Sequence, residues 1–354
     1  MGLKVWLELL SGKAKEVSAN RVGLVIVTSM ISLINTFINS VAGIWESCIG
    51  LESLDMSDYE SPIFIIGHWR SGTTLLHELL SCIDELKAPT TYQCFCPRHF
   101  LLSERVATSL LRWMLPTNRG IDNIRISWDS PQEDEFALLM MGAKTPYSRI
   151  AFPSLGDQLC GLDINELPRD NREYWGQTLL IFIKRLMIRD KRRLILKSPS
   201  HTARISSLVS LFPGAKFIFV SRNPMDMIPS AIKLWKYLDL VHGLNSKGLT
   251  DYKKYSLTLF SNVETAYLRD KELLSNKELV EIKFEDLISN PTKTLEKIIH
   301  QLGLDRLHVD HEALKSVLER ISEEIPEKYK LEDDERQYIA NATSSYCERY
   351  GYAP

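Results

Sequence analysis

The segment Ile63 to Leu80 reads IFIIGHWRSGTTLLHELL, and its reading decides the fold. Four apolar residues, Ile63 to Ile66, run into a glycine-bounded turn, Gly67 to Gly72. An apolar pattern with helical spacing follows. This is a strand, a tight loop and the start of a helix. Backbone N–H groups in such a loop, together with a helix N-terminus, favour an anion. The spacing Gly67-x-x-x-x-Gly72-Thr73-Thr74 comes within one residue of a P-loop, with Thr73 standing where the lysine belongs. A cation sits earlier instead, as Arg70. A cradle that lacks its ATP lysine and carries its positive charge elsewhere argues against an ordinary kinase.

Outward from this loop, short apolar runs predict further strands at Leu194–Lys197, Lys216–Ser221 and Leu279–Lys283, with helical patterns between them. Strands alternating with helices predict an α/β chain with a parallel sheet covered on both faces. The stretch 194–235 reads LILKSPSHTARISSLVSLFPGAKFIFVSRNPMDMIPSAIKLW. It predicts two parallel strands joined by a helix that Ser200 caps and Phe212-Pro213-Gly214 ends. Pro224 suits the first position of the next helix. Both strands end in polar residues, Lys197-Ser198-Pro199-Ser200-His201 and Ser221-Arg222-Asn223-Pro224. Ligands of open α/β sheets bind at that carboxyl edge. Arg70, Lys197 and Arg222 are therefore expected on one rim. Ser230 falls about two turns into the helix after Arg222. A guanidinium fork with a hydroxyl at that spacing suits one phosphate.

Composition limits the partners. The 354 residues carry 43 Lys and Arg against 45 Asp and Glu, a net charge of −2. No bulk basic field is available for nucleic acid, so any polyanion must meet local cations. The six cysteines include no C-x-x-C pair, and a chain of this length needs no disulfide frame. They read as free thiols in a reducing cytosol. The length suits one large α/β domain or two smaller ones. Weak boundaries fall at Asp55–Pro62 and near Gly156–Arg172. The expected organisation is a helical region at 1–60, followed by the main domain at 61–354.

The segment Val22 to Trp45, VGLVIVTSMISLINTFINSVAGIW, carries no charge and is long enough to span a bilayer. Its large apolar residues, among them Met30, Ile34, Phe37, Val41 and Ile44, fall on one helical face. Thr28, Ser32, Asn35, Thr36 and Asn39 fall on the other. Three readings stay open: a helix packed on the domain, a helix lying on a membrane surface, and a span. No secretory cleavage site follows it.

Taken together, the motifs resemble the sulfotransferases that use 3′-phosphoadenosine 5′-phosphosulfate (PAPS), in the bacterial branch with an Arg-Ser-Gly-Thr-Thr loop, distantly similar to the tyrosylprotein sulfotransferases. The resemblance rests on Gly67-His68-Trp69-Arg70-Ser71-Gly72-Thr73-Thr74, on Arg222 with Ser230, and on Val280 to Leu287 with Asn290-Pro291. It covers about Ser61 to the C-terminus. It implies a P-loop-like three-layer fold with a central parallel sheet, plus the N-terminal helical extension. It implies PAPS as co-substrate, PAP as product, and sulfuryl transfer to a small-molecule or lipid-like hydroxyl without a metal. By the resemblance, Ser71, Gly72, Thr73 and Thr74 cradle the 5′-phosphate, with Gly67 opening the loop. Arg70 stabilises the leaving group, Lys197 assists the transition state, and Arg222 and Ser230 hold the 3′-phosphate. Trp69 stacks on adenine or lines the acceptor site.

A general base must take the acceptor's proton. Several relatives place a glutamate shortly after the first helix, where this chain has Gln93. The substitutes are His99, Glu133, Glu135 and, more remotely, His201. The acceptor pocket draws its candidates from Tyr92, Phe95, Phe100, Leu101, Leu102, Trp113, Trp128 and Trp235. Two other classes stay open: a P-loop kinase, and a non-catalytic PAP-binding scaffold at a membrane. The expected location is cytoplasmic, with contact to the inner membrane face through 22–45. Oligomeric state is unreadable.

Overall fold

The computed structural model describes residues 1–57, 59–111, 127–154, 158–304, 307–323 and 329–353, the side chains of 321–323 excepted. In chain order the elements are α1 (Leu3–Leu10), α2 (Val22–Cys48), β1 (Ile63–Gly67), α3 (Thr73–Leu80), β2 (Leu86–Lys87), α4 (Thr91–Phe95), α5 (Phe100–Leu110), α6 (Asp134–Met141), α7 (Arg169–Arg189), β3 (Arg193–Lys197), α8 (Ile205–Leu211), β4 (Lys216–Ser221), α9 (Pro224–His242), α10 (Tyr252–Asp270), β5 (Leu279–Lys283), α11 (Phe284–Ser289), α12 (Pro291–Gln301), α13 (His311–Glu323) and α14 (Asp333–Tyr350). They gather into two compact units. One comprises 1–60, 89–192 and 236–250; the other comprises 61–88, 193–235 and 251–354. The predicted connector near Gly156–Arg172 lies inside the first of these.

The second unit holds the sheet, in the order β2-β3-β1-β4-β5. All of its pairings are parallel. The central strands β1, β3 and β4 are buried almost throughout because both faces are covered, whereas the edge strand β5 alternates, with Val280 and Ile282 buried and Glu281 part-exposed. Ile63, Ile65, Ile218, Val220, Val280 and Ile282 pack on one side, in a core with Leu76 and Leu79 of α3, Leu295 and Ile298 of α12 and Leu314 of α13. On the other side Phe64 stacks on Phe217 at 5.4 Å, and Phe219 stacks on Tyr267 of α10 at 4.1 Å. Each such side chain, fully buried, contributes about 1.5–3 kcal/mol. The expected three-layer arrangement is present. β1 lies between β3 and β4, so the loops that follow these three strands emerge side by side at one carboxyl edge.

One local expectation is corrected. Ser200 does not cap a helix. Ser198 does the capping, accepting from the Ser200 N–H and opening a 3-10 turn at Pro199–Ala203; α8 starts only at Ile205. Pro199 disfavours helical backbone at the residue before it, which leaves Ser198 extended and suited to an N-cap.

The first unit is helical. Trp175, Leu179, Phe182 and Ile183 of α7 are buried, and Phe182 meets Phe100 edge-on at 6.3 Å. Arg185 of α7 pairs with Glu46 of α2 at 2.6 Å, both nearly buried. Arg149 grips Asp239 through two hydrogen bonds of 2.6 and 2.8 Å. The orientation of α2 departs from the reading of a helix that packs by its apolar side. Ser32, Ala42 and Glu46 are its buried residues, while Met30, Ile34, Phe37 and Ile44 are exposed.

Candidate functional site

Every residue proposed from sequence for the nucleotide belongs to the sheet unit. β1 ends at Gly67, whose φ of 146° belongs to the region that glycine tolerates. A side chain there would meet the Val220 carbonyl at 2.7 Å. Thr202, in the turn after β3, clamps the spot: its hydroxyl accepts from Gly67 N at 2.8 Å and donates to Gly67 O at 3.0 Å. His68 then turns inward and stacks on Phe260 at 4.3 Å. Trp69 is buried with its ring 5.5 Å from that of Trp235.

Arg70 has φ 69°, the one non-glycine residue with positive φ among the described residues. A left-handed arginine costs energy that the surrounding structure must offset. The loop is closed on itself at this point, with Ser71 N–H donating to the His68 carbonyl at 3.1 Å. Gly72 follows at φ 99°, and a Cβ there would drive into the ring of Phe284. α3 begins at Thr73, and its first N–H groups have no acceptor within the helix. The Ser71 hydroxyl is wholly buried and has no hydrogen-bond partner among the described residues. A buried donor left in this state, beside a helix N-terminus, fits an anion.

The other two cations reach the same loop. Lys197 ends β3, is almost wholly buried, and its Nζ lies 3.3 Å from the Thr74 hydroxyl. Arg222 follows β4 and donates from Nη1 to the Arg70 carbonyl at 2.9 Å. Its guanidinium stacks over Phe284 at 4.3 Å. Burial lowers the Arg222 pKa from its ordinary value; nearby Asp226 opposes the fall and the positive charge of Arg70 adds to it. Tyr346 of α14 accepts from Arg222 N at 3.2 Å, and Glu285 accepts from Asn223 N at 3.0 Å. Ser230, in the second turn of α9, accepts from Arg70 Nε at 2.9 Å. The sequence paired Ser230 with Arg222; in the structure the two are linked through Arg70. Arg70, Lys197, Arg222, Ser230 and the 67–74 loop are thus connected by direct contacts. Thr202 escaped the sequence reading, and Phe284 entered it only as part of the Val280–Leu287 segment, with no role of its own. Thr202 sits among other hydroxyls that carry no such role, and Phe284 looks like any apolar residue that opens a helix.

The base candidates lie in the helical unit. His99 precedes α5, is buried, and its Nδ1 is 2.7 Å from the Ser103 hydroxyl. Burial lowers its pKa to about 4, so the ring is neutral near pH 7. Nε2 has no hydrogen-bond partner among the described residues. Glu133 is the N-cap residue of α6 and accepts from the Tyr147 hydroxyl at 2.6 Å. Glu135, in the first turn of α6, is wholly buried. Gln93 has a structural task, since it completes a capping box with Thr90. Its amide also donates to Glu104 at 3.0 Å, a buried carboxylate that sequence reading passed over. His201, in the sheet unit, is buried edge-on against Phe64 at 5.5 Å, a core position.

Of the apolar residues considered for an acceptor pocket, Tyr92, Phe95, Phe100, Leu101, Leu102 and Trp128 belong to the helical unit and Trp235 to the sheet unit. Phe95 stacks on Phe136 at 5.3 Å and Phe136 on Tyr147 at 5.0 Å. Leu102 is exposed. Trp113 lies outside the described residues.

Comparison with known proteins gives the family and the fold. Residues 62–308 match the profile of the Sulfotransferase family. The chain is 32% identical over 349 residues to omega-hydroxy-beta-dihydromenaquinone-9 sulfotransferase Stf3 of Mycobacterium bovis, covering 98% of this chain and 89% of the relative. The Mycobacterium tuberculosis protein of the same name matches equally. Among solved structures, sulfotransferase STF9 from Mycobacterium avium superposes with a TM-score of 0.71 at 16% identity, over 99% of this chain and 96% of that one. Sulfotransferase STF1 from Mycobacterium tuberculosis H37Rv gives 0.60 at 14% identity, over 97% and 91%. At these identities the two structures speak for the fold.

Proposed function

The chain belongs to the sulfotransferase family, and on that premise we propose that it moves the sulfuryl group of PAPS to a hydroxyl of a small-molecule or lipid-like acceptor. The observation that carries the donor assignment is the linked set Arg222–Arg70–Ser230 beside the 67–74 cradle. In the reaction the acceptor oxygen attacks sulfur, the bond from sulfur to the 5′-phosphate oxygen breaks, and PAP leaves with the electron pair. Negative charge grows on the departing phosphate. Cations and N–H groups fixed in advance stabilise that charge most, because they need no reorganisation.

In this reading Ser71, Gly72, Thr73 and Thr74 hold the 5′-phosphate. Arg70 and Lys197 face the bridging region and meet the growing charge. Arg222 and Ser230 take the 3′-phosphate. The acceptor's proton passes to a base drawn from His99, Glu133 and Glu135. The neutral Nε2 of His99 is in the protonation state a base requires, although a pKa near 4 makes it a weak one.

The relatives' name gives a hydroxylated menaquinone derivative as their acceptor. That supports an alcohol carried on a largely apolar body as the acceptor class here. The test is PAPS consumption by the purified chain against alcohols of graded apolar length. Turnover that rises with the apolar length of the alcohol is expected. No turnover of PAPS with any alcohol, alongside phosphoryl transfer from ATP, would contradict the proposal.

A further inference from the structure

α2 is amphipathic in the reverse sense for a packed helix. The side it turns toward its own unit is polar. Ser29 accepts from the Trp6 indole at 2.8 Å, Thr36 accepts from Leu3 N at 2.7 Å, and Glu46 holds Arg185 at 2.6 and 2.8 Å. The side it turns outward carries Met30, Leu33, Ile34, Phe37, Val41 and Ile44, with Phe37 at 73% and Ile44 at 70% exposure. Exposed apolar surface of this extent on one face marks an interaction site.

We propose that this face of α2 lies in the surface of a lipid bilayer with anionic headgroups, without crossing it. Three observations select that occupant. First, both ends of α2 are fixed to the same unit. Arg21, just before the helix, donates to the carbonyls of Leu240 and Val241, and Glu46, in its last turn, is paired with Arg185. A spanning helix would have its ends on opposite sides of the bilayer, and would lose the hydrogen bonds its polar side makes. Second, the charges are arranged for a headgroup layer. Residues 22–45 carry none, whereas the first 21 residues hold four cations, Lys4, Lys13, Lys15 and Arg21, against Glu8 and Glu16. Lys4 and Lys15 are solvent-exposed, and Glu16 lies 3.8 Å from Lys247. A net positive flank beside an apolar helix face is the pattern of an interfacial helix on anionic lipid. Third, α2 itself offers little that a protein partner would use. Phe37 is the one aromatic among its exposed large apolar residues, and the helix contains no arginine, whereas protein interfaces are enriched in aromatic residues and Arg. On α1 Leu7 is exposed as well, and a groove lined by Leu3, Lys4, Leu7, Glu8, Ser11 and Thr36 runs between α1 and the polar side of α2.

The inference stands apart from the reaction, and its test uses no turnover. The full chain is floated with phosphatidylcholine vesicles, with and without phosphatidylglycerol. Binding to the anionic vesicles is expected to exceed binding to the neutral ones. Ile34→Ser, Phe37→Ser and Ile44→Ser combined should weaken it by about tenfold or more. These positions are exposed, so an unchanged melting temperature should accompany the loss. Lys4→Glu with Lys15→Glu should remove the preference for phosphatidylglycerol and leave the residual binding. Equal binding by wild type and triple variant would overturn the proposal. So would a wild-type dimer that the triple variant dissolves, with no flotation of either. Retention in membranes after alkaline carbonate extraction would also overturn it, by indicating a span.

Discussion

Arg70 Nε donates to Ser230 Oγ at 2.9 Å, joining the tip of the loop after β1 to the second turn of α9. The same arginine offers its carbonyl to Arg222 at 2.9 Å. One residue thus connects the end that is proposed to hold the 5′-phosphosulfate to the end proposed for the 3′-phosphate. It makes both contacts from a left-handed backbone, φ 69°.

Removing Arg70 or Lys197 should act on the chemical step. Arg70→Ala and Lys197→Ala are each expected to lower kcat by more than about tenfold in a PAPS-consumption assay, because the charge they meet grows in the transition state. Near-normal kcat in both variants would remove these two residues from the mechanism.

Arg222→Ala should act on binding instead. The guanidinium is stacked on Phe284 and held by the Arg70 carbonyl, away from the bond that breaks in the proposed reaction. Calorimetry should show PAP binding weakened by about tenfold or more, as expected for a lost charge-assisted phosphate contact. The kcat at saturating PAPS should fall far less. AMP, which lacks the 3′-phosphate, should bind wild type and variant alike.

Gly72→Ala should damage both fold and site. The residue's φ of 99° strains an alanine, at a cost of roughly 1–3 kcal/mol. The new methyl also runs into the Phe284 ring. A lower melting temperature with weakened PAP binding is expected. Adding Phe284→Ala should recover the steric share of the loss and leave the backbone share. Full recovery would show that the backbone carries no strain.

How much of this was legible in sequence follows from the physics of each element. β1, β3 and β4 have continuous apolar centres because both sheet faces are buried there, so they stand out; β5 reads instead by alternation, Val280 and Ile282 inward and Glu281 outward. β2 is two residues long and has no pattern to read. The order β2-β3-β1-β4-β5 depends on pairings between distant segments, which local patterning does not encode. The cradle showed through its glycines, since a tight turn demands them. The partner of Ser230 did not show, because Arg70 reaches it across 160 positions. The two faces of α2 were legible as periodicity. Which of them turns inward was not, since the ordinary preference buries the apolar face and here polar partners on α1 and α7 reverse it.

The histidine before α5 gives a signature in pH. Burial holds His99 near pKa 4 in the folded chain, against an ordinary value of 6.5. Between those values the unfolded chain binds a proton that the folded chain does not, so stability falls as pH drops from 6.5 toward 4 and levels off below. Denaturant unfolding across this window should show a shallower acid decline in His99→Gln than in wild type. Parallel curves would show that another group carries the decline.

The most direct test of the central claim is a crystal structure of the chain with PAP. The account predicts the 5′-phosphate against the Gly67–Thr74 loop and the 3′-phosphate within hydrogen-bond reach of Arg222 and Ser230, with the Lys197 ammonium facing the vacant sulfuryl position. A nucleotide bound away from the carboxyl edge of β1, β3 and β4, or a 3′-phosphate with neither partner, would contradict it.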